Sequence, residues 1–160
     1  NLWLMIHFCR TPNELFEVKK IVSNAGLLRI PSFKLFMMAE IPSNVILLDK
    51  FIDVGIDGIS IGSNDLTMLT LGLDRDNSEV AKGFSEMDPS ILWSLKRLIT
   101  KAKKRGILVS ICGQAPSNYP ELVEKLVKWG ISSISVSPDA ITRTREIISW
   151  AEKRKISGRK

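Results

Sequence analysis

The stretch KLFMMAE, from Lys34 to Glu40, indicates the fold of this chain most directly. It is apolar without a break between Leu35 and Ala39, and a carboxylate follows at once. A continuous apolar run of this length is typical of a parallel strand covered on both faces, because a strand with one solvated face alternates apolar and polar residues. The stretch therefore predicts a buried parallel strand from Lys34 to Ala39, with a polar residue directly after its end.

Nearly continuous apolar runs recur before and after this stretch. The other four are Leu2 to Phe8, Gly58 to Gly62, Leu108 to Ile111 and Ser132 to Val136. A helical pattern follows each of the runs. Regular alternation of strands and helices predicts an α/β fold with a parallel sheet, either doubly wound or a (β/α) barrel.

Start and stop residues mark most of the helical segments. The first segment has an N-cap at Thr11, a proline at the first helical position, a capping-box acid at Glu14 and a stop at Gly26. Further helices are predicted from Asp88 to Gly106, from Pro120 to Gly130, from about Pro138 to Trp150 and, with weaker caps, from Asn44 to about Asp53.

Two observations favour the barrel over the doubly wound sheet. Polar or reactive residues directly follow three of the predicted strands: Glu40, the pair Asn64 and Asp65, and Cys112. Barrel enzymes place their chemistry at the carboxyl ends of their strands, and no glycine-rich dinucleotide fingerprint follows the first strand. Five strands do not close an eight-stranded barrel, so we expect about five βα units of a TIM-type barrel over residues 1–152, cut from a longer protein. Residues 153–160 are expected to form a basic tail.

The composition excludes several classes of function. The chain has 160 residues and a net charge of +6, with Lys and Arg concentrated on predicted helix surfaces and in the tail. Without interleaved aromatic residues or a reader motif, this pattern predicts no nucleic-acid binding. No apolar run approaches the roughly 20 residues of a membrane helix, and no signal peptide is visible, so no membrane association is predicted. Cys9 and Cys112 fit no disulfide framework, which favours free thiols in the cytoplasm.

Glu40 and Asp65 are the candidate metal ligands. Two carboxylates at the ends of neighbouring parallel strands can share one hard cation, and Mg²⁺ typically takes one or two protein carboxylates and fills its shell with water and substrate oxygens. The alternative is structural: Glu40 would cap or salt-bridge the following helix, and Asp65 would stabilise a turn.

The segment from Gly62 to Asp65 is a candidate substrate-binding turn. Its backbone N–H groups can cradle an anion, and the Asn64 amide can donate to a phosphoryl or carboxylate oxygen. Ser63, Asn64 and Asp65 are therefore predicted to bind the substrate.

Arg75 lies in an unusually long connection, from Asn64 to Met87. Loops of this length in compact domains are usually functional, and the planar guanidinium suits a phosphate. The alternative is an exposed loop arginine that pairs with Asp74 or Asp76.

Cys112 is the candidate acid or base. It follows the fourth predicted strand. Gly113 and Gln114 come next and are predicted to bind the substrate, with the glycine allowing a tight turn close to a ligand. A thiol in this place can move a proton once the site tunes its pKa; the alternative is a buried, inert cysteine. His7, the only histidine, has no partner at ligand spacing and is interpreted as structural.

Three long motifs resemble the phosphoenolpyruvate-utilising enzyme family. They are MAEIPSN (Met38 to Asn44), SIGSNDLTMLTLGLDR (Ser60 to Arg75) and ICGQAPS (Ile111 to Ser117). The similarity extends from about Leu4 to Glu152. FCRT (Phe8 to Thr11) and the GQAPS after Cys112 are most similar to the phosphoenolpyruvate synthase branch, and pyruvate phosphate dikinase and enzyme I of the sugar phosphotransferase system are the alternatives.

The resemblance implies a fold, a reaction and roles for residues. The chain would be the C-terminal portion of the family's barrel, from its fourth strand to its eighth. The implied reaction transfers a phosphoryl group from a phosphohistidine to the enolate of pyruvate, and overall converts ATP, pyruvate and water to AMP, phosphoenolpyruvate and phosphate. The resemblance also implies that Glu40 and Asp65 bind Mg²⁺, that Asn64 and Arg75 contact the phosphoryl group, and that Cys112 handles the proton at the substrate's methyl carbon.

The sequence departs from the family at two positions. Met68 stands where Gln is usual, and His7 stands where Pro is common. The chain contains no phosphohistidine motif and no ATP-binding domain, so we expect both on other domains of the same full-length protein, and a homo-oligomer. The alternative is a non-catalytic fragment that acts mainly in assembly.

Overall fold

The structure, a computed structural model, describes residues 1–74 and 85–157, with side chains described as far as residue 154. Within these residues, five strands form one parallel sheet. They are β1 (Trp3–Ile6), β2 (Lys34–Ala39), β3 (Gly58–Gly62), β4 (Leu108–Cys112) and β5 (Ser133–Ile134). Each overlaps a predicted run, and β2 and β3 match their runs at both ends.

Helices alternate with the strands. They are α1 (Pro12–Asn24), α2 (Pro42–Ile46), α3 (Leu48–Asp53), α4 (Ser63–Leu71), α5 (Pro89–Lys104), α6 (Ala115–Asn118), α7 (Pro120–Trp129) and α8 (Ile141–Ser157), with 3₁₀ turns at Leu27–Arg29 and Pro138–Ala140. The predicted caps form, since Thr11 Oγ1 accepts the Glu14 N–H at 3.2 Å and Asp88 Oδ1 accepts the Ser90 N–H at 2.8 Å. In the described part of the chain, no helix has the length and apolar character needed to cross a membrane.

The order of the strands decides between the two predicted architectures. The sheet order is β1-β2-β3-β4-β5, the same as the chain order. A doubly wound sheet reverses its strand order at a switch point, whereas a (β/α) barrel adds each strand beside the previous one. The partial TIM-type barrel is therefore confirmed, and the sheet formed by the described residues is not closed.

The two sides of the sheet carry different residues. On the helix-facing side, alternate residues of β2, β3 and β4 are at most 1% exposed and form one cluster with apolar residues of α1, α3, α4, α5 and α7: Leu35, Met37, Ala39, Ile59, Ile61, Val109 and Ile111. The opposite side, here called the inner face, carries the intervening residues: Phe36, Met38, Gly58, Ser60, Gly62, Leu108, Ser110 and Cys112. Glu40, the residue directly after β2, continues the alternation of Phe36 and Met38 on the inner face.

The predicted segments that follow β2 and β3 differ from the structure. The connection from Asn64 to Met87, predicted as a loop, begins with α4, which follows β3 without a break. Its N-cap, Gly62, makes no side-chain hydrogen bond and so provides no start signal in the sequence. The helix predicted from Asn44 to about Asp53 begins two residues earlier, at Pro42, and is divided at Leu47 into α2 and α3.

The C-terminal helix is longer than predicted. We expected it to end near Trp150, but α8 continues to Ser157. The first residues of the predicted basic tail are therefore helical. Residues 75–84 of the predicted loop and the last three residues of the tail lie outside the described residues.

Candidate functional site

Glu40 is a buried carboxylate at the end of β2. It is 2% exposed, and its Oε1 accepts a hydrogen bond from the Phe8 N–H at 2.8 Å. Burial is the largest influence on this group and raises the pKa of Glu40, while the hydrogen bond from Phe8 acts in the opposite direction. A carboxylate removed from water in this way would be stabilised by a bound cation.

Asn44, in α2, fixes the backbone on which Glu40 is carried. Its side chain is fully buried. Its Oδ1 accepts hydrogen bonds from the N–H groups of Glu40 at 3.2 Å and Ile41 at 3.0 Å, and its Nδ2 donates to the Cys9 carbonyl at 2.8 Å. The one amide therefore joins the segments that follow β1 and β2.

The segment after β1 contacts the Glu40 carboxylate at two residues, Phe8 and His7. Phe8 has φ of 51°, in the left-handed region that bulky residues rarely adopt, and its N–H is the donor to Glu40. His7 Nδ1 lies 3.6 Å from Glu40 Oε1. His7, which we interpreted as structural, thus lies beside a candidate metal ligand.

Gly62 leaves room for the Glu40 side chain across the end of β3. A Cβ built at residue 62 would lie 3.0 Å from both Cβ and Oε2 of Glu40. Real Cβ contacts are seldom this short, so any larger residue would displace the carboxylate. The position of the Glu40 carboxylate therefore depends on glycine at residue 62.

α4 begins at the same end of the sheet, with Ser63, Asn64 and Asp65 in its first turn. Asp65 is half-buried, and its negative charge also raises the pKa of Glu40, so the two carboxylates lie within electrostatic reach of each other. The segment predicted as a polar turn is therefore a helix N-terminus. Such an end presents free N–H groups and a partial positive charge to an anion.

Cys112 ends β4 on the inner face, opposite Gly62 in the sheet register. Its thiol is half-buried, and Sγ lies 3.5 Å from the Ile61 carbonyl oxygen and 3.7 Å from Met38 Sδ. Cys9, by contrast, is 3% exposed, and burial raises the pKa of its thiol. Cys9 is therefore the enclosed cysteine, whereas the thiol of Cys112 is partly accessible at the end of the sheet.

Gly113 brings the segment after β4 against α4. Its φ is +101°, and a Cβ there would lie 2.4 Å from Ser63 Oγ and 3.3 Å from Asn64 Oδ1. Ser63 Oγ also donates a hydrogen bond to the Cys112 carbonyl at 3.1 Å. Glycine alone accommodates both the left-handed backbone and the close approach, so Cys112 and the first turn of α4 are held together.

The structure thus brings most of the predicted site residues together. Those that share this end of the sheet are Glu40, Ser63, Asn64, Asp65, Cys112 and Gly113. Gln114 follows them at the start of α6 with an exposed side chain. Arg75 lies outside the described residues.

Three residues of the site were not predicted: Phe8, Met38 and Asn44. For Asn44, the available signal was a polar residue within the largely apolar stretch from Ile41 to Leu48. The roles of Phe8 and Met38 depend on a positive φ and on contacts between strands, which single-sequence patterns do not carry.

The donor atoms at this end of the sheet suit a hard divalent cation. Glu40 and Asp65 offer carboxylate oxygens from two elements, and in the described part of the chain no three His, Cys, Asp or Glu residues are grouped as a metal site. A cation here would need further oxygens from water or substrate. Mg²⁺ typically has such a shell, so the residues present fit this ion.

The similarity of this chain to known proteins covers the residues of this site. The family model described as "PEP-utilising enzyme, PEP-binding domain" matches residues 1–153. The chain is 51% identical over 156 residues to the probable phosphoenolpyruvate synthase of Staphylothermus marinus, and 52% identical over 156 residues to the phosphoenolpyruvate synthase of Aeropyrum pernix. It is 49% identical over 154 residues to the phosphoenolpyruvate synthase of Synechocystis.

Each of these three alignments covers 96% of this chain and 19% of the relative. The chain therefore spans about a fifth of the length of the curated relatives that it matches. The matched region includes all the strands described above and the site at their carboxyl ends. On this evidence the chain belongs to the phosphoenolpyruvate-utilising enzyme family, in which it corresponds to the phosphoenolpyruvate-binding domain.

Proposed function

We propose that this chain is the substrate domain of a phosphoenolpyruvate synthase and binds pyruvate and phosphoenolpyruvate. The observation that carries the proposal is the convergence of Glu40, Asp65 and Cys112 at the ends of three adjacent strands. The similarity to relatives named phosphoenolpyruvate synthase supports it. In the whole reaction, ATP, pyruvate and water give AMP, phosphoenolpyruvate and phosphate, and the ATP-binding and phosphohistidine domains belong to the same full-length protein.

In this proposal, Glu40 and Asp65 hold Mg²⁺. The bound ion supplies positive charge that stabilises negative charge on the carboxylate and enolate oxygens of the substrate. The Phe8 N–H already occupies Oε1 of Glu40, and Oε2, which lies against Gly62, is the available oxygen. Two carboxylates that repel each other across this site are a reason for it to accept a cation.

The first turn of α4 binds anionic oxygens of the substrate. Its backbone N–H groups and the Asn64 amide donate hydrogen bonds, and Ser63 keeps this turn against the segment that carries Cys112. Arg75 adds a guanidinium to the phosphoryl group, and Gly113 and Gln114 line the approach. Catalysis of phosphoryl transfer depends largely on such positioning and charge stabilisation.

Cys112 moves the proton at the methyl carbon of pyruvate. In the synthetic direction its thiolate takes the proton: the C–H bond breaks, its electron pair becomes that of the enolate, and an S–H bond forms. The enolate oxygen then attacks the phosphoryl group of the phosphohistidine, and the P–N bond breaks as the P–O bond forms. In the reverse direction the thiol returns its proton to carbon.

Calorimetric titration of the full-length protein with oxalate and Mg²⁺ tests the metal assignment. Oxalate is a planar dianion that presents adjacent oxygens as the enolate of pyruvate does. Glu40→Gln and Asp65→Asn should each weaken Mg²⁺-dependent oxalate binding at least about tenfold, because each removes a charged ligand. Asp53→Asn, which removes the same charge from the exposed surface of α3, is the matched control. Binding at wild-type strength in both site variants would remove the metal assignment.

Exchange of pyruvate methyl protons with deuterated water tests the role of Cys112. Cys112→Ala should slow the exchange by about 100-fold or more, the range that a positioned acid or base contributes. Cys9→Ala, which removes the enclosed thiol, is the control. If the Cys112→Ala enzyme exchanged protons at the wild-type rate, another group would have to carry the proton.

A further inference from the structure

Met38 and Cys112 meet across a strand that separates them. Met38 belongs to β2 and Cys112 to β4, and β3 lies between these two strands. Their sulfur atoms are nevertheless 3.7 Å apart. The contact is possible because Gly62 of β3 has no side chain, and a Cβ there would lie 3.4 Å from Met38 Sδ. The gap that accommodates Glu40 therefore also admits a sulfur contact.

This contact restricts the Cys112 thiol. An S–H group is a weak donor and a thioether sulfur a weak acceptor, and the acceptors beside Cys112 are the Ile61 carbonyl at 3.5 Å and Met38 Sδ. Met38 is only 8% exposed, so packing holds its side chain in place. A fixed, polarizable neighbour limits the rotamers that the half-buried cysteine adopts.

Proton transfer to and from carbon depends strongly on such restriction. The reacting atoms have to lie about 3 to 3.5 Å apart with their orbitals aligned, and a misplacement of about 1 Å can lower the rate by about 100-fold. The methyl carbon of a bound substrate has no hydrogen bond with which to draw the thiol towards it. The orientation of Sγ therefore has to be fixed by the protein.

We infer that Met38 is a positioning residue for Cys112: its thioether holds Sγ in the orientation that exchanges a proton with the methyl carbon. In this role Met38 does not exchange the proton itself; it acts through Cys112. The inference rests on the proposed function of Cys112 as the acid and base.

The test compares Met38→Leu with Met37→Leu in the full-length enzyme. Leucine nearly keeps the volume of methionine and removes the sulfur. Met37 is the adjacent residue of β2 and is fully buried, but on the helix-facing side. Met38→Leu should slow methyl-proton exchange about tenfold, with the KM for pyruvate changed less than about twofold because substrate ligands remain. It should also change the rate at which iodoacetamide alkylates Cys112, and Met37→Leu should leave all three quantities near the wild-type values.

Two results would overturn the inference. One is exchange at the wild-type rate in Met38→Leu. The other is a KM that rises as much as kcat falls, which would indicate a general distortion of the binding site. Cys112→Ala separates these failures from failure of the proposed function. If that variant exchanges protons normally, the role of Cys112 is wrong; if it is inactive while Met38→Leu is normal, only the role of Met38 is wrong.

Discussion

The helix-facing side and the inner face of the sheet are built from alternate residues of the same strands, yet they have different roles. On β3, Ile59 and Ile61 are fully buried against the helices, while Gly58, Ser60 and Gly62 face the other way. The helix-facing side is uniformly apolar, and its residues act through the volume that they fill. The inner face carries Phe36 and Leu108 near the start of the strands and small, polar and sulfur-containing residues towards their carboxyl ends, where the size of each residue determines where a reactive neighbour lies.

The difference shows how one strand can contribute to stability and to chemistry at once. Side chains alternate along a strand, so a residue can be selected for reactivity on one side without loss of packing on the other. Glu40 follows this rule: it comes next after Ala39, which is fully buried in the core. We expect substitutions on the two sides to separate into effects on stability and effects on activity.

The largest effect on stability is expected from Ile59→Ala. The change leaves a cavity in the helix-facing cluster and should lower the free energy of unfolding by about 2–5 kcal/mol. Ser60→Ala, one residue further along β3 on the inner face, should cost less than about 1 kcal/mol. Urea unfolding of the two variants beside the wild type measures both values. Equal losses would contradict the separation of the two sides.

A smaller effect, on activity, is expected from Gly62→Ala. The added methyl group would lie 3.0 Å from Glu40 Oε2 and 3.4 Å from Met38 Sδ, so it should displace the carboxylate and lower kcat/KM by about tenfold, or about 1.4 kcal/mol. Gly58→Ala, at the other end of β3, is the control, since its Cβ would meet the Phe36 ring at 2.4 Å. That variant should be less stable than the wild type, while its kcat/KM should change little. Steady-state kinetics and thermal unfolding separate the two outcomes, and an unimpaired Gly62→Ala enzyme would contradict the described packing.

The smallest effect is expected in the pH dependence of stability, from Glu40→Gln. Burial raises the pKa of Glu40 above its ordinary value of 4.5, so the folded state binds this proton more tightly than the unfolded state. The contribution of Glu40 to stability is therefore greatest below pH 4.5 and falls as the pH rises through the raised pKa. Without metal, the Glu40→Gln variant should lack this fall in stability. At neutral pH it should unfold at a slightly higher temperature than the wild type. Melting curves from pH 4 to 8, in about half-unit steps with a chelator present, measure it; parallel curves would contradict the assignment.

Much of the fold followed from local patterns. Nearly continuous apolar runs predicted β2 and β3 to the residue, and the Thr11 and Asp88 caps predicted the starts of α1 and α5. α4 was missed because it starts at a glycine without a capping side chain. Local signals of this kind identify an element only when the element's ends are chemically marked.

The site could be predicted only in part. Glu40, Asp65 and Cys112 were found because polar residues at strand ends are conspicuous in sequence. The contacts that arrange them were not: the Phe8 N–H reaches Glu40 through a backbone conformation unusual for phenylalanine, and Met38 reaches Cys112 over a third strand. Such contacts depend on register and on the space above Gly62, which become known only when the strands are placed side by side.

The strands have the same order in the sheet and in the chain, and this order affects how the protein can fold during its synthesis. Each strand pairs with the one synthesised just before it, as Gly58 pairs with Phe36 and Leu108 with Gly58. A chain leaving the ribosome can therefore extend an existing edge by one unit after another, without waiting for a distant segment. From β1 to β5, each new strand therefore finds its partner in the strand that was made just before it.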